Sequence, residues 1–194
     1  MPPSSSWIDV RELAEVPEQC PFITEDERQT ALGMPSPKRR REWLMWRAIV
    51  REHLGAETQI GYDEAGAPVL YNRAGHISVS HNREYVAVMY SHERCAIDIE
   101  SASRNFEKVA SRYITDAERL VDGAGHPLFL AAAWCTKEAV YKYAGRPAAE
   151  FLRDIIITNI DWRSMNVKIR TPWQDEITVS MHRRQDSLLA IIGQ

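Results

Sequence analysis

Trp134-Cys135-Thr136-Lys137-Glu138-Ala139-Val140-Tyr141-Lys142 and, upstream of it, Cys95-Ala96-Ile97-Asp98-Ile99-Glu100 are the stretches on which the reading of this chain turns. The upstream one is apolar at Ala96, Ile97 and Ile99 and reads as a strand. Alternate side chains of a strand share a face, so Asp98 and Glu100 point the same way. The downstream one reads as a helix, where residues four apart share a face, so Trp134, Glu138 and Lys142 form one line. Packed together, the two elements gather three carboxylates and an ammonium. Such a set suits a divalent cation holding a phosphate, because hard cations take carboxylate and phosphate oxygens. Each element alone has an ordinary reading: Asp-x-Glu as a solvated strand face, and Glu138 with Lys142 as a helix pair worth ~0.2–0.5 kcal/mol. The setting argues for more. Ala131, Ala132, Ala133 and Trp134 make the helix a buried one, and charge in buried elements is costly unless it is paired or binds a metal.

Taken in order, Ile97-Asp98-x-Glu100 and Trp134-x-x-Lys137-Glu138-Ala139-x-x-Lys142 resemble the signature of the 4′-phosphopantetheinyl transferases, in particular the larger, single-chain kind with two similar halves. Ile77-Ser78-Val79-Ser80-His81-Asn82 resembles the Ser-His segment of that family, and Tyr62-Asp63-Glu64-Ala65-Gly66-Ala67-Pro68 resembles its Gly-Lys-Pro turn. The resemblance implies an α+β fold of two similar α+β halves related by pseudo-twofold symmetry. They would divide as residues 1–98, with the contacts to coenzyme A phosphates, and residues 99–194, with the metal and the catalytic helix. It also implies an activity: Mg²⁺-dependent transfer of 4′-phosphopantetheine from coenzyme A to a serine of an apo acyl- or peptidyl-carrier protein, with release of 3′,5′-ADP. Mn²⁺ is the alternative metal.

The roles that follow from the resemblance fall on matching positions. Asp98, Glu100 and Glu138 are the expected metal ligands. Lys137 and Lys142 are expected on phosphate oxygens, with Lys142 also helping 3′,5′-ADP depart. The base for the serine hydroxyl is Glu118 or Glu138. For Glu118 a second reading stays open, since Thr115 and Glu118 have capping-box spacing. The run Lys38-Arg39-Arg40-Arg41 is on its own either a solvated helix face or a basic cluster of nuclear-localisation type. The resemblance makes Lys38 and Arg41 candidates for phosphate contact, and Arg47 matches the family's helix arginine. Ser80 and His81 are expected on phosphate too, a protonated histidine being favoured by the anion. Two positions depart from the family pattern: Ala96 stands where glycine is usual, and Ala67 where the turn lysine is usual. The spacing from the basic run to its helix is also short. Two rival functions remain, a coenzyme A-binding homologue without catalysis and a metal-dependent phosphodiesterase or nuclease. The former would be expected to lose a carboxylate. The latter's usual Glu-x-Lys strand is missing, since Ala139 and Val140 follow Glu138.

With 194 residues the chain is long enough for one domain or two small ones. Its 44% hydrophobic and 26% charged residues are ordinary globular values, and a net charge of −3 argues against a general nucleic-acid binder. Cys20, Cys95 and Cys135 form no paired metal-ligand spacing and no disulfide framework; Cys135 reads as core packing. The first seven residues lack the basic start and apolar run of a signal peptide, and no run of 18 apolar residues could span a bilayer. A cytoplasmic monomer without membrane contact is expected.

Periodicity and turn residues predict strands over 7–10, 68–71 and 77–80, and helices over 25–32 and 38–54, the latter ended by Gly55. Segments 85–90 and 95–99 read as a hairpin around 91–94. Further on, a helix is expected over 104–113 and another over 128–144, stopped by Gly145. Strands are expected over 155–160, 167–170, 176–181 and 188–192.

Overall fold

The structure, a computed structural model, describes residues 6–146 and 148–193. The chain divides into two compact units, Met1–Cys95 and Ala96–Gln194. The expected boundary at residue 98 falls inside a strand that belongs wholly to the second unit. Both units combine helices with antiparallel sheet, as an α+β chain should.

In the first unit the elements are β1 (Trp7–Glu12), α1 (Glu25–Leu32), α2 (Pro37–Leu54), β2 (Ile60–Tyr62), β3 (Pro68–Leu70), β4 (His76–His81) and β5 (Tyr85–Ser91). The cap residues explain where the helices begin. Thr24 and Glu27 form a reciprocal capping box on α1, and Ser36 caps α2 ahead of Pro37. Gly55, at φ 103°, ends α2 in a conformation that a side chain would strain. The sheet runs β1-β5-β4, and β2 pairs with β3 as a separate ribbon. As the middle strand β5 is buried at every residue, and α2 lays Met45, Trp46, Ile49, Val50 and Leu54 against Val86, Val88 and Tyr90. Each such aliphatic side chain, fully buried, contributes about 1.5–3 kcal/mol.

In the second unit β6 (Ala96–Ser101) leads through two 3-10 turns, Glu107–Arg112 and Glu118–Leu120, to α3 (Phe129–Ala144). Four strands follow: β7 (Ile156–Asp161), β8 (Asn166–Thr171), β9 (Gln174–Arg184) and β10 (Ser187–Ile192). All five strands form one antiparallel sheet, β6-β10-β9-β8-β7. The core is built around α3, whose alanines 131–133 allow the helix to lie close to the sheet, together with Leu188, Ala190 and Ile192 of β10. Gly145 closes α3 in the left-handed region, φ 59°, its N–H directed at the carbonyls of Tyr141 and Lys142.

Two expectations are corrected. Strands 85–90 and 95–99 do not form a hairpin: β5 pairs with β1 and β4, while β6 pairs with β10. The real hairpin is β4–β5, where the Asn82 side chain accepts from the N–H groups of Glu84 and Tyr85. The helix expected over 104–113 is a 3-10 segment over Glu107–Arg112, which has no side-chain cap. The strand Ile60–Tyr62 was not expected.

Candidate active site

Strand β6 and helix α3 meet as their spacing requires. In β6, Asp98 and Glu100 sit opposite Ala190 and Leu188 of β10, on the face that carries the α3 core. Ile97 and Ile99 alternate to the other face and take no part in that core. From α3, Lys142 Nζ donates to Asp98 Oδ1 at 2.7 Å and to the Ile97 carbonyl at 3.1 Å. One and two turns earlier lie Glu138 and Trp134, and the Trp134 indole N–H donates to Glu100 Oε1 at 2.9 Å. The line Trp134, Glu138, Lys142 therefore faces the acidic side of β6.

Negative charge is crowded here. Burial pushes Glu138 up to about 7, with the charges of Asp98 and Glu100 adding to the shift and those of Lys142 and Arg104 opposing it. Burial likewise raises the Glu100 carboxyl, Asp98 again adding to it. Each of the three carboxylates thus feels or exerts the field of the others. Two cations offset them: Lys142 on Asp98, and Arg104, whose Nη1 reaches both oxygens of Glu100 at 3.0 and 3.2 Å. Oxygen-only donors under mutual repulsion fit a hard cation such as Mg²⁺ or Mn²⁺. As they stand, Asp98, Glu100 and Glu138 do not form a converged metal site: among the described residues no three Asp, Glu, His or Cys side chains come together to hold a metal ion.

Lys137, on another face of α3, pairs with Glu118 of the preceding 3-10 turn. One residue along a helix turns the side chain by about 100°, so Lys137 leaves the acidic line that Glu138 occupies. Its ammonium is bonded to Glu118 at 2.6 Å and to the Phe151 carbonyl at 2.9 Å, with side-chain exposures of 0% for Lys137 and 1% for Glu118. Glu118 also accepts from the N–H of Ile157 at 2.8 Å and from Thr115, whose hydroxyl accepts in return from the Glu118 N–H. The capping-box reading of Thr115 and Glu118 is present, on a 3-10 turn. Burial lowers the Lys137 pKa, and Glu118 opposes that shift. The pair has the connections of a tie between α3, the turn before it and β7.

In the first unit the basic residues divide sharply. Arg47 is buried, its guanidinium 3.5 Å from the Trp43 ring and 4.1 Å from that of Trp46, with Nε on Glu27 at 3.1 Å. Arg51 shares Glu27, at 2.6 Å. Arg47 and Arg51 thus join α2 to α1. Lys38, Arg39 and Arg41 are open to solvent. Lys38 Nζ lies 3.1 Å from Glu42, and Arg41 Nη1 lies 3.1 Å from Glu15. Ser80 is buried at the end of β4. His81, beside it, has Nδ1 3.2 Å from Glu42 and Nε2 2.8 Å from Arg39. A guanidinium can only donate, so in this contact Nε2 is the acceptor. Lys38, Arg39 and His81 therefore share one buried carboxylate, which the sequence did not reveal. Ala67 sits in the exposed β2–β3 turn, its N–H held by Asp63. Ala96 is fully buried at the start of β6, opposite Ile192.

Clustered carboxylates beside a lysine at a strand–helix junction suit a hard cation and a phosphate group. A model of the 4'-phosphopantetheinyl transferase superfamily matches residues 94–192, just over half of the chain. The chain belongs to that superfamily, and phosphopantetheinyl transfer is its general activity. No curated protein matches it. Among the described residues no helix is long and apolar enough to cross a membrane.

Proposed function

We propose that this chain transfers 4′-phosphopantetheine from coenzyme A to a serine of an apo acyl- or peptidyl-carrier protein, with a divalent cation, Mg²⁺ or Mn²⁺, and release of 3′,5′-ADP. The observation that carries the reading is the placement of Asp98 and Glu100 on the face of β6 that meets Trp134, Glu138 and Lys142 of α3, within the residues that match the superfamily. Those three carboxylates would hold the cation, which when bound supplies charge neutralisation on the pyrophosphate.

The remaining roles belong to side chains. The serine oxygen forms a bond to the phosphorus that bears pantetheine, and the bond from that phosphorus to the 3′,5′-ADP oxygen breaks. The hydroxyl proton passes to a carboxylate, directly or through water. Of the two candidates, Glu138 is favoured, because Glu118 is buried and bonded to Lys137, Thr115 and Ile157. Lys142 stands where it can neutralise charge on the departing group. In the first unit Lys38, Arg41, Ser80 and His81 keep their assignment to coenzyme A phosphates. Arg47 supports them through the helix that carries the basic run.

The test is a loading assay. Incubation with apo-carrier, coenzyme A and Mg²⁺ adds the mass of one phosphopantetheine to the carrier, and Glu138→Ala abolishes the addition while the circular dichroism spectrum is kept. No mass gain on any of several acyl and peptidyl carriers, with metal present, sinks the proposal.

A further inference from the structure

Asp98 and Glu138 belong to the motifs, and so does Lys142. Arg104 does not. It sits in the turn after β6, where its N–H closes onto the Ser101 carbonyl, and its guanidinium lies on Glu100 through a single nitrogen shared by both carboxylate oxygens. That is not the paired, two-nitrogen fork of a strong arginine–carboxylate contact. Half the side chain is open to water, 47% against 18% for Glu100, so the contact is of the weak, salt-screened kind. The rings of Phe106 and Trp134, 5.0 and 5.6 Å from the guanidinium carbon, keep it nearby whether or not it holds Glu100. Glu100 meanwhile retains an independent tether, the Trp134 indole N–H. The positive charge of Arg104 is also felt at Glu138.

We propose that Arg104 is a resident stand-in for the divalent cation: it neutralises Glu100 in the metal-free protein, gives up that carboxylate when the cation arrives, and so sets the metal affinity. Trp134 keeps Glu100 aimed during the exchange. The inference rests on Asp98, Glu100 and Glu138 being the cation ligands, and it makes Arg104 a positioning residue rather than a catalytic one.

Metal binding is measured directly by titration calorimetry of the full chain with Mg²⁺, at low salt and pH 8, above the value of about 7 to which Glu138 is pushed. Arg104→Gln binds Mg²⁺ about two- to five-fold tighter than the unaltered protein, the range expected for removing a weak competing ion pair. The difference shrinks as NaCl is added. Arg104→Lys, which restores a competing cation, falls back toward the unaltered affinity. Lys108→Gln makes the same charge change on an exposed neighbour in the segment and leaves the affinity in place. Equal or weaker binding by Arg104→Gln overturns the proposal, as does an equal gain in Lys108→Gln, which would reduce the effect to net charge. If none of the proteins binds Mg²⁺ or Mn²⁺ at millimolar concentration, the cation reading itself falls, and the proposal with it.

Discussion

A carboxyl pushed up to about 7 is only partly ionised at neutral pH, and Glu138 is in that position because burial and the neighbouring carboxylates disfavour its charge. The consequence for stability has a definite sign. Its folded pKa lies above the ordinary glutamate value of 4.5, so Glu138 contributes most stability below pH 4.5, and that contribution is lost as pH rises through about 7. In EDTA, the stability of the unaltered protein minus that of Glu138→Gln is expected to fall across this window, by up to about 3 kcal/mol. Urea denaturation at a series of pH values measures it; a difference that is flat with pH contradicts the assignment. At this scale the motif residues were legible, because alternation in β6 and the four-residue step in α3 fix faces from spacing alone. Arg104 was not, since nothing in a non-helical turn says which side chain folds back onto Glu100. Nor could the sequence say that Lys137, one step off the Glu138 line, is paired with Glu118 in the core.

Among the elements, α3 depends most on a buried pair. Lys137 and Glu118 are fully enclosed, and removing one partner leaves the other charge uncompensated. Lys137→Met is expected to cost about 3–5 kcal/mol in urea denaturation. The double variant Lys137→Met/Glu118→Leu is expected to recover a large part of that loss, because burying two apolar groups is often no worse than burying an ion pair. A double variant as unstable as the single one would show that the bonds of Glu118 to Thr115 and the Ile157 N–H matter more than the pair. Helices α1, α2 and α3 were legible from periodicity and glycine stops. The false hairpin has a physical cause as well: Ser91 to Arg94 looks like a turn between two apolar runs, but a local signal cannot report that β5 already has partners on both edges and that β6 pairs with β10.

For the whole molecule, the superfamily match falls on the second unit, while the first unit carries the basic residues assigned to coenzyme A. The structure separates two kinds of arginine and lysine that sequence reading grouped together. Lys38→Ala is expected to raise the KM for coenzyme A several-fold while shifting stability by under about 0.5 kcal/mol, as an exposed side chain should. Arg47→Ala is expected to lose about 2–4 kcal/mol, since it strips Trp43, Trp46 and Glu27 of their shared partner. Steady-state kinetics and urea midpoints on the two variants separate the roles; a stable Arg47→Ala with impaired coenzyme A binding would return that residue to direct phosphate contact.

The pairing of β6 with β10 also governs when the acidic strand can exist. During synthesis Asp98 and Glu100 leave the ribosome long before the segment Ser187–Ile192 that pairs with them, with β7, β8 and β9 also still to follow. Until that segment appears, β6 has no hydrogen-bonded neighbour in its sheet, and such distant pairings are slow to close. A nascent chain therefore carries these carboxylates on a segment that joins its sheet only when Ser187–Ile192 docks.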